Sequence, residues 1–167
     1  YIRGLRGVVK ENTISACYLR VMDTIGFGCT LQGGGLCMDV SHSVIENNDI
    51  LGNHCLAKSR DDCYGGGVSL SGDGNTFRQN RLEGNYIESE WHPGGKLEGG
   101  GLWLHGNDNV VDDCRVVGNF IMPDPDADYD GILGAGIYAS GSRLRVSNCE
   151  IADNIVIESS TYHSQAH

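Results

Sequence analysis

The chain has 167 residues, a formal charge of −10, 25 glycines and only 3 prolines. That length suits one domain, and the negative balance disfavours nucleic-acid phosphates and anionic membranes, so a polyanionic ligand would need a bridging cation. The glycines recur at fixed positions, which excludes low-complexity disorder, and no apolar run is long enough to cross a membrane as a helix.

In chain order, residues 1 to 32 read as a degenerate first unit. Aligning Gly4 with Gly35 sets Leu5, Ile14, Cys17 and Leu19 in the columns of later units. Four clear units follow without gaps: GGGLCMDVSHSVIENNDILGN from Gly33 to Asn53, GGGVSLSGDGNTFRQNRLEGN from Gly65 to Asn85, GGGLWLHGNDNVVDDCRVVGN from Gly99 to Asn119, and GAGIYASGSRLRVSNCEIADN from Gly134 to Asn154. A unit of this kind buries its apolar face only by stacking on its neighbours, so the chain is a repeat protein. Length varies only between each closing Asn and the next Gly triplet, and those stretches are expected to be loops.

Within a unit the apolar residues alternate over short runs, as in half-buried strands. Leu36, Val68, Leu102 and Ile137 form one column, followed by Met38, Leu70, Leu104 and Ala139. A second strand contributes Ile45, Phe77, Val111 and Val146, and a third contributes Ile50, Leu82, Val116 and Ile151. The expected fold is all-β: a single parallel β-solenoid over 1–167, of about five coils (1–32, 33–64, 65–98, 99–133 and 134–167) with three short strands each and a triangular section. Asn48, Asn80, Cys114 and Cys149 share a column between the second and third strands. It reads as an internal ladder in which Cys replaces Asn, either as buried thiols or with Cys114 and Cys149 bridged.

Seven cysteines are many for a cytosolic chain, and Cys55 and Cys63, inside one insertion, are placed to close a loop in an oxidising compartment. There is no CxxC motif, zinc-like spacing or N-x-S/T sequon. Tyr1 begins inside a coil, and nothing after Asn154 reads as an amphipathic cap. The expectation is a fragment of a longer solenoid or a unit whose copies stack end to end into a fibre.

The GGGLWL, GAGIY and VSNCEIADN segments, with their N-x-I-x-x-N spacing, resemble the right-handed parallel β-helix superfamily, the pectate-lyase-like fold. Within it the chain looks most like surface or secreted proteins such as polymorphic outer-membrane and adhesin-like proteins. The resemblance implies a right-handed β-helix and a range of functions, from polysaccharide lyases, hydrolases and epimerases to tailspikes and passenger domains. It also implies that any groove runs across the outward face of the first strand.

That face carries Cys37, Ser69, Trp103 and Tyr138, then Asp39, Ser71, His105 and Ser140. Trp103 and Tyr138 are expected to stack on adjacent coils as a platform for sugar rings, with Asp39 in the groove and Trp91 and His92 reaching the same edge from the 86–98 loop. His105 is the candidate base for uronate elimination, with Lys96 or Arg143 as a charge partner. A glycosidase would need two carboxylates, and the groove columns offer only Asp39, with Asp73 and Asp108 at neighbouring turns. Asp126, Asp128 and Asp130, followed by Gly131, match the opening of a calcium loop. Its usual closing position is Ile137, already a core residue, so Glu90 or Glu98 would have to complete the site.

Two functions follow. The first is an extracellular or cell-surface structural or binding module with glycan contact and partners at its coil ends. The second is a calcium-assisted polysaccharide lyase or epimerase.

Overall fold

The computed structural model describes residues 1–20, 30–58, 62–90, 95–125 and 129–157. Among them every regular element is a strand, and all the strand pairs are parallel and link successive coils. The strands stack into five sheets, numbered here in chain order. Sheet 1 comprises Ile2–Leu5, Leu36–Ser41, Val68–Ser71, Leu102–His105 and Ile137–Ser140. Sheet 2 comprises Val8–Lys10, Val44–Glu46, Thr76–Arg78, Val110–Asp112 and Arg145–Ser147. Sheet 3 comprises Thr13–Ser15, Asp49–Leu51, Arg81–Glu83, Arg115–Val117 and Glu150–Ala152. Sheet 4 comprises Tyr18–Arg20, His54–Lys58, Tyr86–Glu90, Phe120–Met122 and Ile155–Val156. Sheet 5 comprises Thr30–Gln32, Asp62–Tyr64, Lys96–Glu98 and Gly131–Leu133.

The chain is thus a parallel β-solenoid of four complete turns, with a fifth followed through four strands among the described residues. Each turn has five strands rather than three. The stretches expected to be loops contain sheets 4 and 5, and length varies only in the connection between these two, from Lys58–Asp62 at the shortest to Arg20–Thr30 at the longest.

The section is built from a five-residue step. Inward residues recur at Ile45, Ile50 and Cys55 in one coil and at Phe77, Leu82 and Ile87 in the next, one per strand of sheets 2, 3 and 4. Between strands the backbone turns through one left-handed residue, as at His42 (φ 52°), Asn47 (φ 53°) and Gly52 (φ 59°). This step shifts the expected alignment of the first coil. Gly4 pairs with Val40 rather than Gly35, and Ile14 pairs with Ile50. A five-residue slip replaces one strand by the next, so the sequence matches itself almost as well one strand out of register.

Each left-handed corner is followed by an inward polar residue. Asn85 is fully buried, its Nδ2 donating to Asn119 Oδ1 (3.0 Å) and Ile50 O (2.8 Å), while its Oδ1 accepts from Asn53 N and Nδ2. Asn53, Asn85, Asn119 and Asn154 form one such ladder, and Ser43, Asn75 and Asn109 another. In the third, Asn12, Asn48 and Asn80 bond in series and Cys114 N donates to Cys149 Sγ at 3.4 Å. The two thiols there point at carbonyls, Cys114 at Asp112 and Cys149 at Ser147, and burial pushes Cys114 up to about 12. These amides satisfy corner N–H and C=O groups that burial would otherwise leave without partners.

The Gly triplets divide the core. A Cβ on Gly66 would lie 2.4 Å from Gly100 O of the next coil and 2.6 Å from the Tyr86 carbonyl carbon at the start of sheet 4. The corner between sheets 5 and 1 therefore presses against the chain entering sheet 4, and only glycine allows that approach inside the stack. The pinch leaves two apolar clusters. A wide lobe is lined by sheets 1 to 3 and includes Met38, Ile45, Leu70, Phe77, Leu82 and Leu104. A narrow lobe between sheets 4 and 5 includes Leu31, Cys55, Cys63, Ile87, Leu97 and Ile121.

Candidate functional site

The pinch makes the outer surface re-entrant, so side chains that point outward from sheets 5 and 1 converge. Strand alternation puts Leu31, Cys63, Leu97 and Ile132 inward and Gln32, Tyr64, Glu98 and Leu133 outward, immediately before each triplet. Across the corner stand Cys37, Ser69, Trp103 and Tyr138, paired in register along sheet 1. Three of these outward residues are nonetheless buried: Ser69 at 1% exposure, Glu98 at 6% and Trp103 at 9%.

Trp103 spans the corner. Its Nε1 donates to Glu98 Oε2 at 2.9 Å, and its indole stacks on Tyr64 with centroids 4.9 Å apart and planes 22° apart. The His105 ring lies on it at 5.6 Å and 19°, with Nδ1 2.9 Å from Ser140 Oγ. The Tyr64 hydroxyl donates to Asp62 Oδ2 at 3.1 Å, and Asp62 Oδ1 accepts the Lys96 N–H at 2.8 Å. Burial, then the Asp62 and Glu98 charges, raise the Tyr64 phenol and keep it a donor. Burial also raises the Cys37 thiol, whose Sγ is 3.7 Å from Gln32 Oε1, and so disfavours its thiolate. Glu98 is thus a buried carboxylate with a neutral indole donor and no ion pair among the described residues. Trp103 and Glu98 form the buried floor of the corner, and its accessible groups are the half-buried Tyr64 ring, the half-buried Asp62 carboxylate and the exposed His105 imidazole.

Two expectations are corrected by this geometry. Trp103 does not stack on Tyr138; among the described residues its ring partners are Tyr64 and His105. A triangular coil has no sheet 5, hence no wall for the indole to lean on. Arg143 is no partner for His105, because it is held by Asp108 at the turn beyond sheet 1, with Nε to Oδ1 at 2.5 Å, and that guanidinium lowers the Asp108 carboxyl.

Asp39 is half-buried on sheet 1 and meets Arg3 Nε at 3.4 Å and the Ser71 hydroxyl at 3.4 Å. Trp91, His92, Asp126 and Asp128 lie outside the described residues, and Asp130 is exposed. Among the described residues no group of three His, Cys, Asp or Glu side chains is placed to hold a metal ion. Tyr64 and Asp62 were not singled out by sequence reasoning. The available signal was their place two residues apart around an inward Cys63, next to a triplet.

Residues 1 to 164 match the family model described as the right handed beta helix region. The chain belongs to the right-handed β-helix family. No curated protein and no solved structure matches it.

A second aromatic array crosses sheet 4 of this β-helix. Tyr18, His54, Tyr86 and Phe120 follow one another in register, with centroids 4.7, 4.0 and 4.6 Å apart; His54, Tyr86 and Phe120 are stacked, and Tyr18 meets His54 tilted at 56°. The stacked faces are taken by one another, so this part of the column presents ring edges and is a packing ladder. His54 Nε2 lies 3.0 Å from Glu88 Oε2 but off the hydrogen-bonding line, leaving a buried nitrogen with no hydrogen-bond partner among the described residues.

Burial pushes His54 down to about 4, with Glu90 opposing. Between its ordinary value near 6.5 and pH 4 the unfolded chain takes up a proton that the folded chain refuses, so stability falls as pH drops through that window. Glu88, raised by burial and by Glu90, works in the opposite sense, its contribution being lost as pH rises. His54→Phe should therefore flatten the acid limb of the stability profile by about 2 kcal/mol relative to wild type. Urea unfolding at pH 4.5 and pH 7 measures this, and an unchanged slope would show that His54 is not the group titrating.

Proposed function

We propose that this β-helix is an extracellular or cell-surface binding module that holds neutral or amino-bearing glycan rings at the corner between sheets 5 and 1. The observation that carries the reading is the Tyr64 and Trp103 stack set beside the Glu98 and Asp62 carboxylates. A sugar ring offers an apolar C–H face to aromatic surface and hydroxyl donors to carboxylate acceptors. The basic side chain on that wall is Lys96, and a uronate polymer would set its own carboxylates against Glu98 and Asp62. No geometry among the described residues favours the lyase reading over this one. The open edges of the outer coils, where Leu5, Val8, Ile151 and Ile155 are exposed, suit stacking against further coils of the same polypeptide or another copy, measurable by sedimentation against concentration.

Calorimetric titrations with chito-oligosaccharide, cello-oligosaccharide and polygalacturonate, each with and without calcium, test the site. Trp103→Phe should weaken binding by about tenfold, ~1.4 kcal/mol. Glu98→Gln should weaken the amino sugar more than the neutral one. Polygalacturonate binding best, or no neutral or amino sugar binding at all, would overturn the reading. Calcium-independent binding would remove the Asp126 to Asp130 loop from it.

A further inference from the structure

Cys55 ends its rung of the narrow lobe against Cys63. Cys55 lies in register between Leu19 and Ile87 on sheet 4, and Cys63 between Leu31 and Leu97 on sheet 5. The first, third and fourth coils fill this rung with aliphatic residues: Leu19 with Leu31, Ile87 with Leu97, and Ile121 with Ile132. Among the described residues of this rung, two sulfur-bearing side chains meet only in the second coil, both with 0% exposure. Their Sγ atoms are 2.7 Å apart, closer than the roughly 3.5–4.0 Å at which even two carbon atoms rest in contact.

We propose that Cys55 and Cys63 are joined by a disulfide formed as the coil folds, tying sheet 4 to sheet 5 next to Tyr64. Two S–H bonds break and one S–S bond forms. The two protons and two electrons pass to a low-molecular-weight disulfide such as glutathione disulfide, which is reduced to two thiols through a mixed disulfide on the first cysteine to react. Because both sulfurs are sealed in the finished core, the exchange belongs to folding, and the bond once formed is shielded from reductant. The cross-link holds the strand that carries Asp62 and Tyr64 against the solenoid through a small, two-layered lobe. This inference does not depend on what the corner binds.

The intact chain, reduced and denatured, is refolded in a glutathione couple, denatured again without reductant, alkylated and digested with trypsin. Lys58 and Arg60 place cleavage sites between the two cysteines, so a cross-link holds two separate peptides together. The expected result is that linked pair, with the other five of the seven cysteines alkylated. Alkylation of both Cys55 and Cys63, or a pairing of either with another cysteine, overturns the proposal. A second measurement uses Cys55→Ile with Cys63→Leu, which copies the Ile87 and Leu97 rung. A reductant strong enough to reach the core should lower the wild-type melting midpoint by roughly 5–10 °C and leave the double variant unmoved. Equal shifts in the two proteins would also overturn it.

Discussion

Gly66→Ala should destabilise the chain by about 3 kcal/mol or more, whereas Ala135→Gly, in the same column of the last coil, should cost less than about 1 kcal/mol. The added methyl at Gly66 meets backbone on two sides, the Gly100 oxygen at 2.4 Å and the Tyr86 carbonyl at 2.6 Å, and neither can move without shifting a strand. Gly100 would meet Ala135 O at 2.3 Å in the same way. At Ala135 no further coil among the described residues supplies the opposing oxygen, and alanine is already present. Gly52 offers an internal comparison. Its φ is +59° and a Cβ there meets nothing within 4 Å, so Gly52→Asn should cost only a few tenths of a kcal/mol, far less than Gly66→Ala. Urea midpoints for the three variants check the order. Similar midpoints for Gly66→Ala and Gly52→Asn would mean that the corner is not closed by backbone contact.

Asn85→Ala should cost about 3–5 kcal/mol, a large loss for an exchange of one polar side chain. Asn85 is at the centre of its ladder, and truncation strips partners from Asn53 N, Asn53 Nδ2 and Ile50 O together. Asn53 and Ile50 are both fully buried, so bulk solvent does not reach these groups and the penalties fall on the folded state alone. Asn80→Cys should cost less than half as much, because Cys114 and Cys149 already serve in that column. Native-state hydrogen exchange adds a spatial readout: the Asn53 and Tyr86 amides should lose protection in Asn85→Ala before those of sheet 1 do.

Sheets 1 to 3 were legible in the sequence because their inward residues repeat without interruption through the four later coils: Leu36, Val68, Leu102 and Ile137 are all apolar, and Asn53, Asn85, Asn119 and Asn154 are identical, although Cys17 takes the Asn place in the first coil. Sheets 4 and 5 were not. Their strands offer one to three inward residues each, and Cys55, Ala57 and Ser89 at those positions blur the alternation that marks a strand. The variable connection between the two sheets then makes the whole stretch look like loop. The register of the first coil was obscured differently, by the five-residue step that makes one strand a good copy of the next.

At the site, the outward direction of Trp103 was legible from alternation, but its burial was not. That depends on Tyr64 and Glu98, five and more residues earlier, being folded back by a bend that no periodicity records. The electrostatic character of the corner was hidden for the same reason. Glu98 reads as one more acid in a chain of −10 until the triplet brings it against the indole.

The amide ladders also give the solenoid a polarity. Asn12, Asn48, Asn53, Asn85 and Asn119 each donate Nδ2 to the oxygen of the following coil and accept at Oδ1 from the preceding one, where a donor is present. The amide dipoles therefore point one way along the axis. A coil meeting the Asn154 edge must bring an acceptor, and one meeting the Asn12 edge must bring a donor. Two like edges brought together about a two-fold axis would oppose donor to donor or lone pair to lone pair, so the ladders are complementary only to a coil added head to tail.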